Sequence, residues 1–132
     1  MPYKGYWGLF GGKQICGETI PETIEREIRE ESNLKATFQR CNGIVYERLR
    51  ENGLYKHSFL LIITTLITDS LDAQEQQEGK VAWFKFDDVL KNKVPKLIPS
   101  DVMFLQNYAS QEINIEHVVM EEKEGEQLIL ES

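Results

Sequence analysis

The first regular pattern along the chain is a stripe of isoleucines at every fourth position, formed by Ile20, Ile24 and Ile28. This spacing is typical of a helix that lays one narrow apolar face on a sheet. Thr19 and Glu22 have the spacing of a capping box at the start of such a helix. Asn33 suits the left-handed conformation that follows a last helical turn. The pattern therefore predicts a helix between Thr19 and Asn33, with its carboxylates at the rim of the sheet.

Two longer apolar segments flank a strong turn signal. Ile44 to Arg50 and Leu54 to Thr68 lie on either side of Glu51-Asn52-Gly53, and Asn-Gly is typical of a tight β-hairpin. Within the second arm, Phe59 to Ile63 is apolar without alternation. That run predicts a strand buried on both of its faces.

The rest of the chain predicts shorter elements. In chain order these are a short strand around Tyr6 to Phe10, a loop from Asp69 to Gly79, a strand from Lys80 to Phe86, one helical turn at Asp87 to Leu90, a helix capped by Ser100-Asp101 and running to about Ala109, and a hairpin formed by Asn114 to Glu121 and Glu126 to Glu131. This order of strands and helices predicts an α/β fold, with a mixed β-sheet and helices on both of its faces. All of it is expected to form a single domain over residues 1–132.

Composition excludes several function classes. The 132 residues are 41% hydrophobic and 28% charged, which is typical of one ordinary globular domain, and no apolar run approaches the length of a membrane span. A net charge of −7 without a dense Lys/Arg stripe argues against binding of long nucleic acid. A small polyphosphate can still bind, because metal ions reverse the local field. Cys16 and Cys41 form no disulfide or zinc pattern, which favours a reducing, cytoplasmic location.

An acidic cluster follows from the helical spacing. At about 100° per residue, Glu27, Glu30 and Glu31 share one helical face, with their Cβ atoms roughly 6 Å apart. Like charges this close repel, so the cluster is costly unless a positive group lies within it. Two interpretations are open: a solvated charged face, as most acidic runs on helices are, or a site for a hard divalent cation with oxygen ligands.

The same stretch resembles the Nudix box, G-x5-E-x7-R-E-U-x-E-E-x-G-U, in which U is an apolar residue. The matching positions are Gly12, Glu18, Arg26, Glu27, Ile28, Glu30, Glu31 and Leu34. One position departs, because Asn33 stands where the family has Gly. The resemblance continues through Trp7 to Gly12 before the box and Val81 to Phe84 after it. By this resemblance the chain is identified as a member of the Nudix hydrolase family, whose domains are α/β/α sandwiches.

The resemblance implies a metal site on the predicted helix. In the family, the carboxylates that match Glu30 and Glu31 ligate Mg²⁺ or Mn²⁺. The carboxylate that matches Glu27 ligates the metal or acts as general base on the attacking water, and the carbonyl that matches Gly11 often completes the ligand set. The predicted metal ligands are therefore Gly11, Glu27, Glu30 and Glu31, of which Glu27 and Glu30 are also predicted to be catalytic.

Further residues are predicted to support the chemistry. Glu18 and Arg26 are interpreted as an ion pair that pins the glycine-rich loop, including Gly12, onto the helix; direct contact of Arg26 with phosphate is the alternative. Many Nudix enzymes take another acid from a later loop, and here Glu78, preferred over Glu75, is the predicted catalytic acid.

Aromatic residues near the box divide into two predicted groups. Tyr6 is the predicted substrate-binding residue, since its ring can stack on a nucleobase. Phe10 and Trp83 are predicted to belong to the core, because aromatic residues on short strands usually pack inside.

The resemblance implies metal-dependent hydrolysis of a nucleoside diphosphate linked to another moiety, with an activated water cleaving the pyrophosphate bond. The alternative is a Nudix-fold module that binds a nucleotide or a protein without turnover, which the departure at Asn33 keeps open. Nudix domains usually carry a strand ahead of the position of Trp7, where only six residues precede it here. An open sheet edge pairs readily with another chain, so a homodimer is expected.

Overall fold

The computed structural model describes residues 5–74, 80–122 and 129–131. In this part of the chain the helices and strands, in order, are α1 (Ile20–Ser32), β1 (Ala36–Glu51), β2 (Leu54–Thr68), α2 (Phe86–Leu90), α3 (Pro99–Tyr108), β3 (Val119–Glu121) and β4 (Ile129–Glu131). The strands β1 and β2 form one antiparallel ladder, and β3 and β4 form another.

Local signals set both ends of α1. The Thr19 hydroxyl accepts a hydrogen bond from the backbone N–H of Glu22 at 3.3 Å, and the Glu22 carboxylate accepts one from the Thr19 N–H at 3.0 Å. This reciprocal pair is the predicted capping box. At the other end Asn33 has φ 60° and ψ 17°, and its N–H donates to the Arg29 carbonyl at 2.9 Å. The predicted limits of the helix are therefore confirmed.

The hairpin of β1 and β2 is the largest element of the fold. Asn52 (φ 52°) and Gly53 (φ 80°) both occupy the left-handed region, which is the requirement of a tight hairpin turn. Strand β1 begins at Ala36, eight residues before the predicted arm, and the ladder continues to Thr68 with three irregularities in register. The predicted turn is confirmed, and the first arm is longer than predicted.

The apolar stripe of α1 lies against the beginning of β1. Ile28, Leu34 and Ala36 form the buried cluster, and Ile24 and Leu66 pack onto it. The Glu25 carboxylate also accepts a hydrogen bond from the Phe38 N–H at 3.0 Å. These contacts fix which face of α1 points away from the hairpin, and that outer face carries the box carboxylates.

The end of α3 packs on the middle of β1. A Cβ at Gly43 would lie 2.7 Å from a ring carbon of Tyr108, so only glycine permits this close approach. The neighbouring Asn42 is 1% exposed, and its amide donates to the carbonyls of Ala109 and Gln111 at 3.2 and 3.0 Å. Because Thr65 also donates to the Asn42 amide oxygen at 2.8 Å, this buried polar side chain joins both strands to the segment that follows α3.

Several predictions about burial and strands are wrong. The side chains of Phe59, Leu60 and Ile62 are 41, 68 and 37% exposed, so the apolar run Phe59 to Ile63 is not buried on both faces. Phe10 and Trp83 are 39 and 52% exposed and do not belong to the core.

The predictions for the second half of the chain hold only in part. Residues 80–85 form no strand, although the helical turn that follows them is present. Helix α3 is present, but its cap residue is Ile98 and no side chain caps it. The first arm of the C-terminal hairpin is shorter than predicted, with β3 at Val119–Glu121 paired to β4 at Ile129–Glu131, while residues 126–128 of the second predicted arm lie outside the described residues.

The predicted α/β class is confirmed by this arrangement of helices around an antiparallel hairpin. Parallel pairing in the described residues is confined to the bridge between Trp7 and Leu97, because residues 6–10 do not extend into a full strand. None of the described helices is both long enough and apolar enough to cross a membrane.

Candidate metal and hydrolase site

The glycine-rich loop lies directly against α1. A Cβ built at Gly12 would overlap the carboxylate of Glu27, whereas one built at Gly11 meets no atom within 4 Å. Neither glycine has a positive φ, so the requirement at Gly12 is steric. The loop backbone therefore closes over the Glu27 side chain, which is only 12% exposed.

Arg26 connects this loop to the helix. Its Nε and Nη2 donate to the two oxygens of Glu18 at 2.7 and 3.0 Å, and Nη2 also donates to the Lys13 carbonyl at 2.9 Å. The ion pair predicted between Glu18 and Arg26 is thus present as a two-pronged contact. Such planar pairs are the strongest of the charge-assisted hydrogen bonds.

Glu18 holds the loop in a second way. Its Oε1 accepts from the Ile15 N–H at 2.8 Å and from the Thr23 hydroxyl at 3.2 Å. The hydrogen bond from Arg26, followed by the one from the Ile15 backbone, lowers the pKa of Glu18 from 4.5 to about 2. The same contact, with a further one from Glu27, raises the pKa of Arg26. At neutral pH the pair is therefore fully charged.

The box carboxylates surround the remaining guanidinium nitrogen. Arg26 Nη1 donates to Glu27 Oε1 at 2.8 Å and to Glu30 Oε2 at 3.2 Å. The Glu30 side chain is 50% exposed, and Glu31 is half-buried on the same outer part of the helix. Repulsion in the acidic cluster is thus reduced by a cation that the chain itself supplies.

These donors fit a hard divalent cation in chemical type. Carboxylates of Glu27, Glu30 and Glu31 and the backbone carbonyls of the adjoining loop are the oxygen ligands that Mg²⁺ takes. The guanidinium between Glu27 and Glu30 shows that a positive group is accommodated there. In the described residues, however, no three His, Cys, Asp or Glu side chains are already gathered closely enough to hold a metal ion.

A half-buried carboxylate beside the loop was not recognised as a site residue from the sequence. Asp101, at the start of α3, accepts a hydrogen bond from the Leu9 N–H at 2.9 Å. Burial raises the pKa of Asp101 and the charge of Glu47 acts in the same direction, while the Leu9 hydrogen bond acts against both. A Cβ at Gly8 would come within 3.1 Å of the same carboxylate. The contact joins residues 92 positions apart, and no local pattern indicates it.

The other predicted site residues are less well defined by the structure. Tyr6 is 46% exposed, and its role in substrate binding stays a prediction. Glu75 and Glu78 lie outside the described residues. His117, which is not a predicted site residue, contacts the helix that carries the box, because its Nε2 accepts from the Ile20 N–H at 3.2 Å.

Three relatives show what this chain is similar to. It is 26% identical over 91 residues to the uncharacterized Nudix hydrolase YvcI of Bacillus subtilis, a match covering 67% of this chain and 56% of the relative. It is 27% identical over 107 residues to the ADP-ribose pyrophosphatase of Methanocaldococcus jannaschii, covering 81% and 59% of the two chains. It is 31% identical over 88 residues to the oxidized purine nucleoside triphosphate hydrolase of Danio rerio, a match covering 64% of this chain and 53% of the relative.

The chain thus spans a little over half the length of each of these three relatives. The family model of the NUDIX domain matches residues 1–108, which include the glycine-rich loop, α1 and the β1–β2 hairpin. The same residues form the ion pair, the acidic helix face and the close loop contact described above. This chain belongs to the Nudix family.

Proposed function

We propose that this chain is a metal-dependent pyrophosphohydrolase that acts on a nucleoside diphosphate linked to another moiety. The observation that carries the proposal is the position of Arg26, which binds Glu18 and the loop on one side and Glu27 and Glu30 on the other. Four of the residues that match the Nudix box, Glu18, Arg26, Glu27 and Glu30, are therefore joined by ion pairs. Family membership supplies the reaction class.

Glu27, Glu30 and Glu31 would hold Mg²⁺ or Mn²⁺, together with the carbonyl of Gly11. A bound divalent cation neutralises charge on phosphoryl oxygens and lowers the pKa of a bound water. Glu27 is the most enclosed of the three side chains that the structure places on this face, and Arg26 fixes one of its oxygens. Glu27 is therefore the candidate to orient the attacking water and accept its proton, with Glu78 as an auxiliary acid.

Glu18 and Arg26 act as positioning residues in this proposal. They hold the loop from Gly11 to Lys13 against α1, so that Gly12 closes over Glu27. Tyr6, just ahead of the loop, would contact the nucleobase. The substrate panel should include ADP-ribose and oxidized purine nucleoside triphosphates, because relatives with those names match this chain.

The test is hydrolysis of that panel with Mg²⁺ or Mn²⁺, compared across the wild-type chain and Glu30→Gln, Glu31→Gln and Glu25→Gln. Glu25→Gln is the matched control: it removes the same charge from the same helix, but its carboxylate points to the Phe38 N–H. We expect turnover to fall by about 100-fold or more for Glu30→Gln and Glu31→Gln, because each loses a charged ligand, and to stay near wild type for Glu25→Gln. Equal activity in all of these chains would contradict the proposed metal site.

A second candidate function has one observation in its favour. Arg26 already lies between Glu27 and Glu30, and among the described residues no three His, Cys, Asp or Glu side chains are arranged closely enough to hold a metal ion. A nucleotide- or protein-binding module without turnover would need nothing more. Nucleotide binding by a wild-type chain that hydrolyses no member of the panel with either metal would favour this second candidate.

A homodimer is part of the same proposal. The described residues of the hairpin pair only with each other apart from the bridge between Cys41 and Ile113, and open strand edges favour pairing with a second copy. Light scattering at micromolar concentration tests this, and a stable monomer would contradict it.

A further inference from the structure

Near its turn, the β1–β2 hairpin carries two arginines and two tyrosines on one face. Tyr46, Arg48 and Arg50 alternate along β1 and are all exposed, while the residues between them are less exposed. Arg50 pairs across the ladder with Tyr55, and directly opposed residues in an antiparallel ladder project from the same face. Together Tyr46, Arg48, Arg50 and Tyr55 line an open cleft of about 410 Å³, referred to below as the hairpin cleft.

Both guanidinium groups of the hairpin cleft are gathered over a single ring. The central guanidinium carbons of Arg48 and Arg50 lie 5.4 and 5.9 Å from the centroid of Tyr55. Among the residues that the structure describes, no carboxylate lies within 4.0 Å of either guanidinium. Two positive charges thus lie at one tyrosine ring without a carboxylate partner among the described residues, in a chain whose net charge is −7.

This combination of groups selects a class of ligand. Paired guanidinium groups match the oxygens of a phosphate through bidentate, charge-assisted hydrogen bonds. Exposed aromatic rings beside them provide a surface on which a nucleobase can stack, and Tyr46 and Tyr55 are 63 and 60% exposed. Two arginines are too few to hold a long nucleic acid against the net negative charge of the chain.

We propose that the hairpin cleft binds a nucleotide, with Arg48 and Arg50 contacting its phosphate and the tyrosine rings contacting its base. None of the residues assigned to hydrolysis lines the hairpin cleft. Glu47, between Tyr46 and Arg48, projects from the opposite face, and it is Glu47 whose charge acts on Asp101 beside the glycine-rich loop. Binding in the hairpin cleft therefore needs neither the box carboxylates nor a divalent cation.

The experiment is isothermal titration of AMP into the full chain with EDTA present, so that a failure of metal-dependent hydrolysis cannot affect the result. The variants are Arg48→Gln, Arg50→Gln and Tyr55→Leu. Lys56→Gln is the matched control, because it removes a positive charge from the same exposed turn region but Lys56 does not line the cleft. Circular dichroism verifies that each variant is folded.

We expect Arg48→Gln and Arg50→Gln to weaken AMP binding roughly tenfold or more, as is typical when a charge-assisted hydrogen bond is lost, and Lys56→Gln to change it about twofold or less. For the wild-type chain, adenosine and inorganic phosphate should each bind more weakly than AMP. The Tyr55→Leu substitution should lower the affinity for AMP toward the affinity for inorganic phosphate. No binding of AMP at millimolar concentration would overturn the proposal. So would an equal loss in the Lys56→Gln control, which would indicate a general electrostatic effect.

Discussion

Replacing Gly12 by alanine is the sharpest test of how the loop positions the site. The new Cβ would overlap the carboxylate of Glu27, which is 12% exposed and held by Arg26 at 2.8 Å. The carboxylate has little room to retreat, because the helix lies on one side and the loop on the other. Gly11→Ala is the matched control, since a Cβ there meets no atom within 4 Å and φ is not positive at either glycine.

The two substitutions should change stability in opposite directions. Extra volume in a closely packed place typically costs about 1–3 kcal/mol, so Gly12→Ala should lower the free energy of unfolding by that amount. In a position without strain, alanine for glycine typically adds about 0.4–1 kcal/mol by reducing the freedom of the unfolded chain, which is the expectation for Gly11→Ala. Displacement of Glu27 by about 1 Å is expected to reduce turnover on the order of 100-fold.

Urea unfolding at neutral pH measures the change in the free energy of unfolding. Hydrolysis of a substrate identified with the nucleotide panel measures the change in turnover. The carbonyl of residue 11 is retained in Gly11→Ala, so its activity should stay close to wild type. If Gly12→Ala and Gly11→Ala are equally stable and equally active, the close contact between the loop and Glu27 does not control the site, and the reasoning fails.

Three further predictions follow from the same region. Asn33→Gly should leave turnover nearly unchanged and alter stability by about 1 kcal/mol or less, because it only relieves a left-handed residue at the end of α1; a gain of activity from zero would instead show that Asn33 disables the site. Glu18→Gln should be less stable than wild type at neutral pH. Because the pKa of Glu18 is lowered from 4.5 to about 2, the stabilisation from its ionised form is complete above 4.5 and is lost as the pH falls toward 2. The difference between the two urea unfolding curves should therefore shrink over that range, and a difference independent of pH would contradict the assignment. Glu78→Gln should reduce turnover less than Glu30→Gln does, and unchanged kinetics would remove Glu78 from the mechanism.

Features determined by neighbouring residues were predictable from the sequence. The capping box of Thr19 and Glu22 and the Asn52-Gly53 turn depend on side chains a few positions apart, and both are present. The ion pair of Glu18 and Arg26 was also predictable, because the spacing of the box residues places the two side chains beside the same loop.

Features that depend on distant parts of the chain were not predictable in the same way. The run Phe59 to Ile63 has the composition of an inner strand, but burial depends on what packs on each face of a strand, and here Leu60 and Ile62 stay exposed. Asp101 looked like a helix cap because Ser, Asp and Asn often are. Its actual partner, the Leu9 N–H, lies far away in the sequence. The close approach of the Gly12 backbone to the Glu27 side chain is likewise a tertiary contact, which the order of residues does not indicate.

In the proposed metal site, the guanidinium of Arg26 would keep the fold stable when the cation is absent. A purely acidic helix face would be left with bare repelling charges when its metal is removed, whereas here Nη1 already bridges Glu27 and Glu30. Binding of a divalent cation is then an exchange of one positive group for another, and the weaker contact, 3.2 Å to the half-exposed Glu30, is the one that must open. With the proposed metal site, a chelator should consequently abolish hydrolysis while leaving the melting temperature almost unchanged, and the cation would leave and return without unfolding of the chain.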